Sequence, residues 1–167
     1  MMEDLSQEKW TKTDKKILKI LQQDATLSVA EVANQVGLSQ SPCWRRINRL
    51  EQAGLIRKRV ALLDAQKLSL GVVVFVNVRL SGHADQSLRE FEEAICAFPE
   101  VTECYTMTGS MDFHLRIVVK DIQGYERFFR QHLSQMPAVR EVHSSVAITQ
   151  LKYTTELPLD LLNDELK

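Results

Sequence analysis

The first third of the chain repeats apolar residues at intervals of three and four, which is the spacing of one face of an α-helix. This pattern predicts three helices, the first two of which open on a capping box, the Ser/Thr-x-x-Asp/Glu motif that closes a first turn. The predicted ranges are about 12–24, 28–37 and 39–54, with the third helix beginning at Ser39 or Ser41. Because only residues 37–39 separate the last two helices, the arrangement is that of a helix-turn-helix.

The spacing of apolar residues changes after the third helix. Residues 55–63 alternate loosely, which indicates a strand or wing, and residues 65–71 have the character of a hinge. We therefore expect a winged helix-turn-helix domain over residues 1–64, a hinge over 65–71 and a second domain over 72–167.

The second domain is predicted to contain four strands and two helices. The expected strands are 72–80, 101–108, 113–119 and 140–151, and the expected helices are 85–97 and about 125–136. The order β-α-β-β-α-β is that of a ferredoxin-like sandwich, with both helices on one face of an antiparallel sheet. The predicted fold class is thus α+β, a winged helix-turn-helix followed by this βαββαβ domain.

One face of this sheet is left without a helix to cover it. Bulky residues occupy consecutive positions from Val72 to Val76, so both faces of the first strand need to be buried. Since the two helices cover a single face, the other face is expected to meet a second subunit.

Charge is distributed unevenly along the chain of 167 residues, although the net charge is only −1. Residues 40–60 carry six basic residues against the single acidic Glu51. Such a local excess is the electrostatic footprint of a small module that binds nucleic acid.

The third helix concentrates the residues that we assign to DNA binding. Since its apolar stripe of Cys43, Ile47 and Leu50 points inward, the opposite face is free to enter a major groove. Candidate contacts to bases are Gln40, Ser41 and Arg45. Candidate contacts to phosphates are Ser39, Arg46, Arg49 and Arg57. Trp44 is a further candidate for DNA, with packing against the first helix as its alternative.

Three stretches of the sequence are distinctive: DKKILKILQQDATLSVAEVANQVGLSQSPCWRRINRLEQAGLI with the following VALLD, then TGSMDFHLRIVV, and finally LKYTTELPL. Together they closely resemble the Lrp/AsnC, or feast/famine, family of bacterial transcription regulators. The resemblance implies a βαββαβ domain that forms dimers through its sheet and often tetramers or octamers. It also implies a small effector, usually an amino acid, bound between subunits near a TG-x-x-D turn.

Carried over residue by residue, the resemblance places six residues in the effector pocket: Thr108, Gly109, Asp112, Phe113, Ser144 and Ser145. A glycine turn offers N–H groups to the carboxylate of an amino acid, and Asp112 is the nearest acceptor for its ammonium group. The residues alone leave open that Gly109 and Asp112 only shape the turn. His114 departs from the family pattern, and PCW with LKYTT resembles the branch of cysteine-responsive regulators, which favours a sulfur-bearing or medium-sized apolar effector.

Other classes of chemistry have little support in the sequence. The three cysteines and four histidines show neither metal-ligand spacing nor a catalytic constellation, so we expect no metal, no cofactor and no enzyme activity. There is no signal peptide and no bilayer-length apolar run, so a cytoplasmic location is expected. The function predicted is a sequence-specific transcriptional regulator. The alternatives are a ferredoxin-like small-molecule-binding protein or enzyme, and an architectural DNA-binding protein with little specificity.

Overall fold

The computed structural model describes residues 10–82 and 85–162, which group into two compact units. Within those limits, the first unit contains residues 10–61 and 152–162, and the second contains residues 62–151.

The first unit is built on three helices, α1 (Lys12–Gln23), α2 (Val29–Val36) and α3 (Gln40–Gln52). Both predicted capping boxes are present, at Thr11 for α1 and at Ser28 for α2. Gly37 ends α2 with a φ of 71°, a left-handed conformation that glycine adopts without strain. This turn allows α3 to begin three residues later.

The core of the first unit lies where the three helices meet. Its buried apolar residues are Ile17, Leu21, Val32, Ala33, Cys43, Ile47 and Leu50. The three members from α3 are those that the helical spacing predicts, so this helix presents its basic side away from the core.

The segment after α3 differs from its prediction. Residues 57–64 have no regular secondary structure, and residues 65–69 form turns. A lone extended segment has no neighbour for its backbone N–H and C=O groups, which is why the strand expected over 55–63 is not formed.

The second unit is a four-stranded sheet with two helices. Its elements are β1 (Val72–Leu80), α4 (Asp85–Cys96), β2 (Val101–Thr106), β3 (Phe113–Val119), α5 (Ile122–Gln131) and β4 (Val139–Val146). The strand order is β2-β3-β1-β4, and every neighbouring pair is antiparallel. This confirms the predicted ferredoxin-like arrangement.

Two strands end earlier than predicted. β2 stops at Thr106 because the N–H of Met107 already donates to the carbonyl of Asp112 at 2.8 Å and closes a turn. The last residue pair of β4 with β1 is Val146 with Val74, and one further backbone bond, from the N–H of Ala147 to the carbonyl of Val73 at 2.9 Å, ends their contact.

The two faces of the sheet have different surroundings. Alternate residues of β1 and β3 are buried in one core with side chains from α4 and α5. They are Val74, Val76, Val78 and Leu80 on β1, and Phe113, Leu115, Ile117 and Val119 on β3. The intervening residues, among them Phe75, lie on the open face, where Phe75 is 37% exposed.

The carboxyl-terminal segment 152–162, here called the tail, packs along α1. The side-chain amide of Gln22 accepts a hydrogen bond from the N–H of Leu157 at 3.0 Å and donates to its carbonyl at 3.1 Å. The Nζ atom of Lys19 lies 3.0 Å from a carboxylate oxygen of Asp160. These bonds place the tail in the first unit, whereas the prediction assigned 152–167 to the second domain.

Deletion of residues 152–167 is expected to lower the free energy of unfolding of the first unit by about 1–2 kcal/mol, because several partly exposed hydrogen bonds are lost. Gln22→Ala should account for about half of this loss. Both tryptophans of the chain, Trp10 and Trp44, lie in the first unit, so urea unfolding followed by tryptophan fluorescence reports on it. Gln35→Ala, at an exposed position of α2, is the matched control. An unchanged midpoint after deletion would contradict a stabilising tail.

Candidate DNA-binding and effector sites

The outer face of α3 carries the predicted base-contacting residues. Gln40, Ser41 and Arg45 are all exposed, while the opposite stripe of the helix is buried. The hydroxyl of Ser39, at the N-cap, makes no capping bond to the helix. Among the residues that the structure describes, Arg45 forms no ion pair, so its guanidinium is not neutralised by a carboxylate. This face can therefore meet a polyanion.

Trp44 lies outside the first core. It is 53% exposed, whereas Trp10, just before α1, packs against the core. Trp44 is therefore not part of the core between the three helices, and its contact with DNA stays a prediction.

Arg46 and Arg49, predicted to contact phosphates, converge on a single buried carboxylate. Asp14 has no exposed surface, and its two oxygens lie 2.8 Å from Nη1 of Arg46 and 3.1 Å from Nη2 of Arg49. The guanidinium of Arg49 also lies 4.9 Å from the centroid of the Trp10 ring, which is a cation–π arrangement. Both arginines remain partly exposed, at 33% and 46% of their side-chain surfaces.

The charge of Asp14 is stabilised by its hydrogen bonds. Burial alone would raise the pKa of this carboxyl, but donation from Thr11 and Arg46 outweighs burial and lowers the pKa below its ordinary value. In the sequence, Asp14 is recognisable only as part of a capping box. Its bonds to α3 were not predicted, since they join residues more than thirty positions apart.

Basic residues after α3 fall into two groups. Arg57 is exposed, as a contact to phosphate requires. Arg59 is instead paired with Glu51, with 3.0 Å between Nη2 and Oε1.

The turn between β2 and β3 has the geometry of a tight glycine loop. Gly109 has a φ of 117°, and Thr108 and Gly109 are both exposed. The carboxylate of Asp112 accepts a hydrogen bond from the N–H of Leu80 at 2.7 Å, and the backbone N–H of Asp112 donates to the carbonyl of Val78 at 2.9 Å. Asp112 therefore fastens the turn to the end of β1.

Three of the predicted effector residues are not brought together in one subunit. Phe113 is fully buried, with its ring centroid 4.6 Å from that of Phe91, so its ring is part of the core and not exposed to a ligand. Ser144 pairs with Val76 on the helix-covered side, while Ser145 pairs with Phe75 on the open face. Successive strand residues point to opposite faces, so these two serines cannot line the same pocket of one subunit.

Two polar pairs were not predicted from the sequence. The hydroxyl of Ser144 is hydrogen-bonded to that of Tyr125 on α5. On the open face, Nδ1 of His114 lies 2.8 Å from the side-chain oxygen of Asn77, and the His114 ring stacks on Phe75 with centroids 5.6 Å apart. His114 is therefore a residue of the open face.

Other chemistry has no comparable arrangement in the described parts of the chain. Residues 10–82 and 85–162 contain no group of three His, Cys, Asp or Glu side chains placed to hold a metal ion. Burial raises the pKa of the Cys104 thiol to about 11, whereas a nucleophilic cysteine needs a lowered pKa. None of the described helices is long and apolar enough to cross a bilayer.

Family models match both parts of the chain. A model described as winged helix-turn-helix DNA-binding matches residues 11–57, and the Lrp/AsnC ligand binding domain matches residues 73–157. The chain belongs to the Lrp/AsnC family. It is a DNA-binding transcription regulator of that type.

Curated relatives match this Lrp/AsnC protein along nearly their whole length, and they are transcription regulators. The transcriptional activator DecR of Escherichia coli K12 is 38% identical over 89% of this chain and 98% of its own. The glutamate uptake regulatory protein of Zymomonas mobilis is 40% identical over 91% of this chain and 92% of its own.

Solved structures agree with this assignment. An AsnC family regulator from Agrobacterium tumefaciens matches with a TM-score of 0.88 and 48% identity, covering 92% of this chain and 100% of its own. The regulator NMB0573 of Neisseria meningitidis, solved as a complex with L-Met, matches with a TM-score of 0.88 and 34% identity. The match covers 92% of this chain and 99% of the Neisseria chain.

Substitution of Gly109 tests the strain in the turn. Gly109→Ala is expected to lower the free energy of unfolding of the second unit by about 1–3 kcal/mol, because an L side chain is strained at a φ of 117°. Gly82→Ala is the control, since a Cβ atom meets nothing within 4 Å at either glycine and only Gly109 of the two has a positive φ. Urea unfolding followed by circular dichroism measures both. Equal losses would show that the backbone conformation of Gly109 is not the cause.

Proposed function

We propose that this Lrp/AsnC regulator reads specific DNA sequences with α3 and that an amino acid bound near the β2–β3 turn modulates it. The observation that carries the first part is the division of α3 into two sides. Cys43, Ile47 and Leu50 anchor one side in the core, while the other side exposes Gln40, Ser41 and Arg45. A helix held in this way fits the major groove, with its amino-terminal residues at the base edges.

Arg45 is the principal candidate for reading a base. An arginine can donate two hydrogen bonds to the O6 and N7 atoms of guanine, which is the commonest specific contact in the major groove. Gln40 and Ser41 precede it in the first turn of α3. Trp44 lies beside them and offers an apolar surface to a thymine methyl group or a sugar.

The active form is proposed to be a homodimer joined through the open face of the sheet, with larger assemblies built from such dimers. This face combines the partly exposed Phe75 ring with charged and polar side chains, among them Arg116 and His143. A two-fold axis would pair this surface with itself, and it would give each dimer two copies of α3 for two half-sites on DNA.

The effector is proposed to be an amino acid of the sulfur-bearing or medium-sized apolar kind. Exposed backbone around Gly109 can donate N–H groups to its carboxylate. Asp112 is the nearest acceptor for its ammonium group, since a carboxylate accepts several hydrogen bonds at once and the bond from Leu80 is one of them. The complex of the Neisseria relative with L-Met supports this class of ligand. The proposed contacts are completed by Thr108, Ser144 and Ser145. The two serines lie on opposite faces of the sheet, so they contact ligands on different faces or in different subunits.

Arg45→Ala is expected to weaken specific DNA binding by about 1–3 kcal/mol, because it removes the bidentate contact to a base. The measurement is fluorescence anisotropy on duplexes selected by footprinting the DNA upstream of the protein's own gene. Lys67→Ala removes one positive charge from an exposed side chain of the second unit and is the control. Equal losses for specific and unrelated duplexes would indicate an architectural DNA-binding protein, and no DNA binding by the unaltered chain would refute the proposal.

Calorimetric titration with each of the twenty amino acids tests the effector. We expect L-methionine or a similar apolar amino acid to bind, and we expect Asp112→Asn to abolish binding because the ammonium group loses its charged partner. Asparagine keeps an oxygen for the N–H of Leu80, so the turn should persist. Glu126→Gln, at an exposed ion pair of α5, is the control for charge. Absence of binding by all twenty amino acids would refute the effector, while the DNA measurement would stand separately.

A further inference from the structure

We propose that Asp14 is a positioning residue for DNA binding, which holds Arg46 and Arg49 in place before DNA arrives. The inference rests on the proposed role of α3 as the DNA-reading helix. It assigns a functional role to a residue of α1 that does not belong to the exposed face.

The hydrogen bonds to Asp14 hold one terminal nitrogen of each guanidinium, that of Arg46 and that of Arg49, in place. One oxygen accepts from Arg46 at 2.8 Å, and the other accepts from Arg49 at 3.1 Å and from the N–H and hydroxyl of Thr11 at 2.9 and 2.7 Å. Arg46 also donates to the Thr11 hydroxyl at 3.1 Å. The carboxylate therefore has donors on both oxygens, and it cannot turn without losing its bonds to Thr11 at the start of α1.

The arginines retain the capacity to bind phosphate. A guanidinium carries five N–H donors, and the bonds to α1 use a single terminal nitrogen of each arginine. Both side chains are partly exposed, and the Trp10 ring holds Arg49 on another side. A phosphate oxygen can thus be bound by donors that Asp14 leaves unused.

This arrangement lowers the net charge of the cluster but orders its side chains. Two arginines and one carboxylate leave a single positive charge, which weakens the general attraction to DNA. In return, two flexible side chains are ordered before binding, so less conformational entropy is lost when phosphates are contacted. Arg45, which has no ion pair among the described residues, keeps its full charge and its freedom.

The test compares Asp14→Asn with Asp24→Asn. Each variant removes one negative charge from the first unit, but the carboxylate of Asp24 is exposed and bonds to Thr26. Asparagine retains an oxygen that can accept from Thr11, so the capping of α1 is largely kept. Binding to one duplex is measured by anisotropy between about 50 and 200 mM salt, with tryptophan fluorescence as the check on folding.

We expect the released arginines of the Asp14→Asn protein to bind phosphate as mobile charges. The slope of log K against log salt should steepen by about one ion, so binding should weaken by a further factor of roughly three to four across this salt range. The Asp24→Asn protein should keep the slope of the unaltered chain. If the two folded variants have the same slope and affinities within about twofold, the positioning role is overturned.

A second variant tests the proposal even if the Asp14→Asn substitution unfolds the first unit. The double substitution Arg46→Lys with Arg49→Lys keeps both positive charges but replaces each planar fork by a single nitrogen, which cannot serve carboxylate and phosphate in the same geometry. We expect this protein to bind DNA several-fold more weakly than the unaltered chain. Arg130→Lys makes the same exchange at an exposed ion pair of α5 and should leave binding unchanged.

The two sets of substitutions should not act independently. If Asp14 works through the arginines, the double lysine substitution should cost less in the Asp14→Asn background than in the unaltered chain. Unchanged binding by the double lysine variant overturns the positioning role. If Arg45→Ala also leaves binding unchanged, the proposed function of α3 fails with it, whereas an effect of Arg45→Ala alone confines the failure to Asp14.

Discussion

The DNA-binding unit depends on the ion pairs that the buried carboxylate of Asp14 forms with Arg46 and Arg49. Removing an ionised carboxylate from water costs many kcal/mol unless donors replace the lost hydration. Asp14 obtains these donors from two places, the first turn of α1 and two arginines of α3. The apolar stripe sets how deeply α3 sits in the core, and the ion pairs with Asp14 restrict how far the helix can rotate about its own axis.

The sheet of the second unit imposes a comparable constraint through alternation. Each strand residue points to one face of the sheet. Different residues therefore form the side that packs on α4 and α5 and the side that remains open. This rule makes Phe113 a core residue, and it separates Ser144 from Ser145. Side chains on the helix-covered side and on the open face can therefore be altered independently by substitution.

Local rules predicted those parts of the fold that local interactions decide. The capping boxes at Thr11 and Ser28 are completed within four residues, and both were predicted from the sequence. The end of β4 depends on pairing with β1, which is distant in sequence, and the end of β2 depends on the turn that leads to β3. The predicted ends lay beyond the observed Thr106 and Val146. The separation of Ser144 and Ser145 was available from the period of a strand, but the resemblance to a family placed both in one pocket.

The long-range polar contacts of the first unit could not be predicted in this way. Asp14 meets Arg46 across 32 positions, and Gln22 meets Leu157 across 135. Neither pair has a periodic signal, because a charged or amide side chain on a helix is expected to be solvated until its partner is known. The chain therefore enters the first unit twice, once at its start and once through the tail. A fragment that ends at residue 61 lacks the bonds from Leu157 and Asp160 to α1, so the sequence of the helix-turn-helix alone does not specify the complete DNA-binding unit.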